Sequence, residues 1–213
     1  PVFIERAQSV HAPILFAEEE HLLQSSSVNE TGERIYQTTD FAELKGELGG
    51  LCQLKNTNTL LSSIRQLKKI GYHLTEENVR EGFAHVSKLT GLMGRWHKLE
   101  EHPALVCDTG HNVGGISYIV EQLKHQKYDR LHIVMGMVND KDISGVLSMM
   151  PKDAMYYFTR ADVKRALPEN ELQALAQQVG LQGQGYPNVK AAVEAAKQHS
   201  SEKDFIFVGG SSF

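Results

Sequence analysis

Acid, imidazole and amide side chains crowd into CDTGHNVGG, residues 107–115. Asp108 can accept from ribose hydroxyls or orient a cation, and His111 can donate to phosphate oxygens. Gly114 and Gly115 let backbone approach a ligand closely. The run that follows is amphipathic, and the start of a helix there would offer partial positive charge to an anion. The local alternative is that Asp108 caps that helix and His111 is a surface residue. In GMVNDKDISGVL, residues 136–147, Gly136 allows a tight turn and Asp140, Lys141 and Asp142 open a helix. Acids suit a helix start and a lysine does not, so Lys141 is a candidate anion contact or a member of a solvated charge cluster. Arg160, Lys164 and Arg165 add positive charge after the next apolar run. Gly209, Gly210, Ser211 and Ser212 either cradle an anion or turn the chain. Arg95, in GLMGRW, can pair with phosphate in a two-pronged way or form an interdomain ion pair. Gln53 and Asn56 offer both donor and acceptor to a purine edge, or cap their helix. Trp96, the only tryptophan, reads as a packing residue.

These residues need elements to hold them. Apolar runs fall at 104–107, 131–135, 154–158 and 205–208, separated by helical patterns at about 114–126, 141–150, 168–179 and 188–199. Strands alternating with helices imply right-handed βαβ units and a parallel sheet, a Rossmann-like α/β sandwich. Ligands of such sheets bind beyond the carboxyl ends of the strands, where Asp108 would lie. Upstream the pattern is mixed. Residues 3–11 read as helix, 13–17 as a short strand, 24–33 as a polar loop and 34–50 as edge strands. Leu54, Leu60, Leu61, Ile64, Leu67 and Ile70 mark an amphipathic helix closed by Gly71. Thr75 caps a second helix reaching about Val86, and residues 87–95 read as a hinge. The domain boundary is placed near residue 90, giving domains of 1–90 and 91–213.

The chain has 213 residues, a formal charge of −4 and 41% apolar residues. No run of about 18 apolar residues exists to span a bilayer, and the opening shows no secretory pattern. The acidic balance argues against a nucleic-acid partner. Cys52 and Cys107 read as unbridged, buried thiols of a cytoplasmic protein. His97 and His102 have no CxxC to complete a zinc site, so no metal ligands are assigned. DTGHNVGG does not give G-x-G-x-x-G, which disfavours a dehydrogenase. The opening, a helix already under way, and the closing FIFVGGSSF suggest a fragment of a longer protein.

In combination, GGLCQLKNTNTLL, LTEENVREGF, LMGRWHKLEEHPALVCDTGHNVGG, HIVMGMVNDKDISGVL, KRAL and FVGGSS resemble the folylpolyglutamate synthase/dihydrofolate synthase family of the Mur ligase superfamily. The resemblance implies a Mur ligase C-terminal domain preceded by the remnant of a central P-loop-type ATPase domain. It implies an ATP-dependent ligase joining L-glutamate to folate or dihydropteroate through an acyl phosphate, a monomer without nucleic-acid or membrane partners. By family pattern Asn56 contacts the adenine, Arg95 the phosphates and Asp108 the ribose or phosphate region, while His111 sits by the γ-phosphate as the catalytic candidate. Lys141 and Ser211 line the substrate side of the C-terminal lobe. Cys52 stands where a histidine often precedes the glutamine, and HNVGG replaces the commoner HNP continuation. No GxxGK[ST] loop is present, so the phosphate loop and the Mg2+ ligands are expected upstream, and the chain alone is expected to be inactive. The alternatives are a peptidoglycan Mur ligase, which the DKD loop disfavours, and a non-catalytic nucleotide-binding module.

Overall fold

The computed structural model describes residues 2–29, 32–139 and 142–210. The chain divides into two compact units, Pro1–Glu47 with Gln53–Leu89, and Leu48–Cys52 with Thr90–Phe213.

The first unit contains α1 (Val2–Ser9), α2 (Ala17–Glu20), β1 (Leu23–Val28), β2 (Arg34–Thr38), β3 (Leu44–Gly46), α3 (Gln53–Lys69), α4 (Glu76–Ala84) and α5 (Val86–Thr90, whose last residue belongs to the second unit). The strands form an antiparallel meander, β1-β2-β3. Its core joins Leu22, Tyr36, Phe41 and Leu44 to Leu61 and Val79. Asn58 knits α3 to the chain before β1, accepting from the N–H groups of Leu22 and Leu23 at 2.9 and 3.2 Å. Thr75 and Asn78 exchange side-chain-to-backbone hydrogen bonds in a capping box that starts α4. Gly71 takes φ +100° after α3, the left-handed conformation that glycine adopts cheaply.

Several expectations are corrected here. Residues 24–33 are not all loop, because β1 pairs with β2 through backbone bonds that polar side chains do not impede. Its Ser26 hydroxyl accepts from the buried Arg34 at 3.0 Å. Residues 13–16 form no strand. The inward face of α3 carries Leu54, Leu61 and Ile64, while Leu60, Leu67 and Ile70 are exposed. The expected hinge begins with the helical turn α5.

The second unit contains β4 (His97–Glu101), β5 (Ala104–Cys107), α6 (Val113–Lys124), β6 (Leu131–Gly136), α7 (Ile143–Met149), β7 (Met155–Thr159), α8 (Glu169–Gln178), β8 (Gln182–Gly185), α9 (Val189–His199) and β9 (Phe205–Gly209). Its sheet runs β4-β5-β9-β6-β7-β8, parallel apart from β4. Side chains alternate across it. Leu131, Ile133 and Met135 of β6 with Phe205 and Phe207 of β9 face α6, α7 and α8, while Val134 and Ile206 face Ala192 and Ala196 of α9. Burying each large apolar side chain contributes roughly 1.5–3 kcal/mol relative to exposure. This is the Rossmann-like sandwich expected, with the edge strands β4 and β8 added.

At the amino end of this sheet lies a polar cluster with a buried centre and an exposed rim. His132 is fully buried. Its Nε2 lies 3.2 Å from Asp204 Oδ2, and its Nδ1 lies 3.0 Å from the Tyr157 hydroxyl. A carboxylate only accepts, so in the neutral ring Nε2 carries the proton and Nδ1 accepts from Tyr157. His199 Nδ1 approaches the same hydroxyl at 3.2 Å, and Arg130 reaches Asp204 at 3.2 Å. Burial above all holds the His132 pKa below its ordinary 6.5, against the pull of Asp204. For Asp204 burial is the largest influence and pushes upward. It is outweighed by Ser201, His132 and Arg130, and the carboxyl ends below its ordinary range.

Candidate functional site

Strand β5 delivers Asp108 to the carboxyl edge of the sheet, where the Asp108 N–H continues the ladder to Val208 O at 3.0 Å. Its two carboxylate oxygens then take separate backbone donors. Oδ1 accepts from Gly110 N at 2.8 Å, and Oδ2 accepts from Trp96 N at 2.7 Å. Burial pushes this carboxyl above its ordinary range, opposed by those two N–H groups and by the Arg95 charge. Asp108 therefore does not cap α6. Asn112 does, accepting from Gly115 N at 2.8 Å. Gly110 lies so close to the helix that an added Cβ would fall 2.5 Å from Ile119 Cδ1. Nδ1 of His111 donates to Thr109 O at 2.9 Å, which makes Nε2 the acceptor nitrogen of the neutral ring.

Thr109 fastens the other wall. Its N–H and its hydroxyl both donate to Gly94 O, at 3.0 and 3.1 Å, and its Oγ1 accepts from the Arg95 guanidinium. Trp96 adopts φ +51° and lays its ring against Phe205 and Phe207 at centroid distances of 6.2 and 6.1 Å. It is the packing residue expected, and it also lines the site.

Arg95, Trp96, Asp108, His111 and Asn112 surround a cleft of about 230 Å³, closed on another side by Gly50, Leu51 and Cys52. A second cavity of about 210 Å³ shares Asp108 and Thr109 and extends over the ends of β6, β7 and β9. Thr159 lines it, with a buried hydroxyl that has no hydrogen-bond partner among the described residues. Three of the expected site residues, Arg95, Asp108 and His111, thus come together. Asn56 lies in the other unit, on the first turn of α3, where its amide donates to Gln53 Oε1 at 3.0 Å. Lys141 and Ser211 lie outside the described residues. Asp142 caps α7 through Gly145 N at 2.9 Å. Arg160 pairs with Glu169 at 3.4 Å. Cys52 and Cys107 form no disulfide and are half-buried rather than buried. Among the described residues no three His, Cys, Asp or Glu side chains gather closely enough to hold a metal, and none of the described helices is long and apolar enough to cross a membrane.

Sequence reasoning missed Thr109, Gln122 and the segment Leu48–Cys52. Thr109 sits inside the quoted motif with no signal of its own. Gln122 was detectable, since it breaks the apolar stripe Ile116, Ile119, Leu123 of α6.

A parallel sheet with a polar cleft at its carboxyl edge, beside a helix start, is the place where open α/β domains take their ligands. Residues 94–212, more than half of the chain, match the family described as "Mur ligase, glutamate ligase domain", and the chain belongs to that family. Curated relatives include the dihydrofolate synthase/folylpolyglutamate synthase of Escherichia coli K12, 28% identical over 184 residues covering 83% of this chain and 42% of that one. The folylpolyglutamate synthase of Lacticaseibacillus casei is 26% identical over 137 residues, 63% of this chain and 31% of that one. The chain spans about two fifths or less of the length of these relatives. Among solved structures, Mycobacterium tuberculosis folylpolyglutamate synthase complexed with ADP and AMPPCP superposes with a TM-score of 0.83 at 21% identity, covering 99% of this chain and 49% of that one. A bifunctional folylpolyglutamate synthase/dihydrofolate synthase with Mn, AMPPNP and L-glutamate bound gives 0.74 at 21% identity, covering 98% of this chain and 47% of that one. These likenesses establish the fold.

Proposed function

We propose that this chain is the glutamate-ligase portion of an ATP-dependent enzyme that joins L-glutamate to folate, and to dihydropteroate, through an acyl phosphate. The observation that carries this reading is the convergence of Arg95, Asp108 and His111 on one cleft at the start of α6. The guanidinium neutralises phosphate charge. His111, its Nδ1–H held by Thr109 O, presents Nε2 beside the transferring group. With both carboxylate oxygens engaged by backbone N–H groups, Asp108 fixes the Gly94–Trp96 and Gly110 loops and offers its remaining lone pairs to ribose. Asn56 contacts the adenine, and Lys141 and Ser211 the substrate. Catalysis of this kind rests on positioning and charge neutralisation. Mg2+, which would screen the phosphates, has no ligand set among the described residues and is assigned to the longer polypeptide with the phosphate loop. Residues 1–90 are the end of its central ATP-binding domain. The chain alone is expected to bind nucleotide and not to turn over, as part of a cytoplasmic monomer.

Trp96, the only tryptophan, lines the cleft and reports directly on occupancy. ADP titrated into the 213-residue chain should change its emission saturably, and Arg95→Ala should abolish the change. In the complete polypeptide, glutamate-dependent phosphate release with dihydropteroate or tetrahydrofolate should collapse in Arg95→Ala and Asp108→Ala. A folded complete enzyme with no folate-dependent turnover would sink the substrate class and point to peptidoglycan precursors.

A further inference from the structure

Helix α6 buries Ile116, Ile119 and Leu123 against the sheet, and Gln122 is buried beside them at 8% exposure. A leucine would satisfy that packing. A primary amide there must find partners for both its ends, or each unmet group costs about 1–3 kcal/mol. Its partners are backbone groups more than 70 positions earlier. Oε1 accepts from Leu51 N at 2.7 Å, and Nε2 donates to Gly49 O at 3.4 Å. A carbonyl and the N–H two residues on are the pair that a neighbouring strand would engage, so the amide stands in for a strand. The backbone it holds is the brief passage Leu48–Cys52, flanked on both sides by residues of the other unit. A Cβ built on Gly50 would lie 3.6 Å from Trp96 Cβ, so the passage also rests on the site's tryptophan. Gly50, Leu51 and Cys52 then close the cleft opposite Asp108 and His111.

We infer that Gln122 is a positioning residue for the nucleotide cleft, holding the Gly49–Cys52 backbone in place as one of its walls. This rests on the nucleotide reading above. Gln122 itself lines the cleft, but both ends of its amide are taken up by Leu51 and Gly49. Its effect reaches the site through the wall it fixes.

The test uses the 213-residue chain with two readouts. Calorimetry measures ADP affinity, and peptide-resolved thiol labelling compares Cys52 with Cys107. Gln122→Met keeps the volume and removes both hydrogen bonds. It should weaken ADP roughly tenfold and speed Cys52 labelling, relative to Cys107, by about the same factor. Gln122→Glu keeps the acceptor for Leu51 and loses the donor to Gly49, so it should fall between wild type and Gln122→Met. Should Gln122→Met not fold, Gln122→Glu carries the test. Leu123→Ala removes core packing from the same helix without touching the wall, and should lower the melting temperature while leaving both readouts within twofold. Unchanged ADP affinity and unchanged Cys52 labelling in folded Gln122 variants would overturn the inference, as would equal effects from Leu123→Ala. A wild-type chain that binds no ADP refutes the nucleotide reading itself, and the positioning role falls with it; that outcome appears in the first titration, before any variant is made.

Discussion

At the carboxyl end of the six-stranded sheet, Asp108 and His111 stand half-buried on the wall of a cleft. At the amino end, Asp204 and His132 are buried with Tyr157, beneath the exposed His199 and Arg130. The two acids differ in what surrounds them. Asp108 meets two backbone N–H groups and one cation, and burial still wins, so its carboxyl sits above the ordinary range. Asp204 is more deeply buried, yet a backbone N–H, an imidazole, a serine and an arginine together hold it below that range. A group whose charged form is penalised by burial beside a cleft can respond to a ligand. A group held in its charged form by its partners, away from any cleft of this kind, stabilises the fold. Residue type alone therefore does not mark a site; access and the balance of partners do.

This contrast is open to breaking. The largest effect is expected from Asp204→Ala, which strands the buried His132 and the Ser201 N–H. It should cost about 3 kcal/mol of stability, read by denaturant melting, and leave the ADP affinity of the folded fraction within twofold of wild type. Asp108→Ala should do the reverse, costing about 1 kcal/mol of stability and at least tenfold in ADP affinity. If both variants lose stability and affinity in equal proportion, the two ends of the sheet are not functionally distinct.

Acid should separate them further. The folded pKa of His132 lies below its ordinary 6.5, so as pH falls through 6.5 the unfolded chain takes up the proton first and stability drops. Asp204, held low, adds a further loss only below about pH 3.8. Asp108, held high, has the opposite sign just above that value, because the folded state protonates more readily. The melting temperature should therefore fall by a few degrees between pH 7.5 and 5.5. His132→Gln, which can still donate to Asp204 and accept from Tyr157, should flatten that slope. An unchanged slope would remove His132 as its source. The smallest effect is expected at Thr109, which holds Arg95 and Gly94. Thr109→Val should weaken ADP about threefold to tenfold, and Thr109→Ser should restore it.

The central strands are legible in the sequence because burial on both faces leaves continuous apolar runs, as in Leu131–Met135 and Phe205–Val208. The cap at Thr75 is legible because a short polar side chain ahead of an amphipathic run has one obvious use; at α6 the sequence offers Asp108 for that use, and Asn112 takes it. Edge strands are not. β4 reads HKLEE and β8 reads QGQG, since a strand paired on one side with little burial needs no apolar period. β1 escapes notice for the same reason. In the site, Arg95, Asp108 and His111 stand out as chemistry-bearing side chains. The Leu48–Cys52 wall cannot be read locally, because Gln122 and Trp96, far along the chain, help give it a place. The role of Asp108 as a clamp on Trp96 and Gly110, rather than a helix cap, depends on distances that spacing does not convey.

The strand order has a consequence for how the molecule is made. β9 is the last strand of the described chain, and it lies between β5 and β6. Until Phe205–Gly209 leaves the ribosome, β4-β5 and β6-β7-β8 are two separate ribbons, each with a bare edge. At roughly 5–20 residues per second, the earlier ribbon waits on the order of ten seconds for its partner. During that wait, every residue lining the cleft of Arg95, Asp108 and His111 has already been made and is displayed without the strand that will lie beside β5. Nascent chains stalled before β9 should therefore be the species most in need of a chaperone.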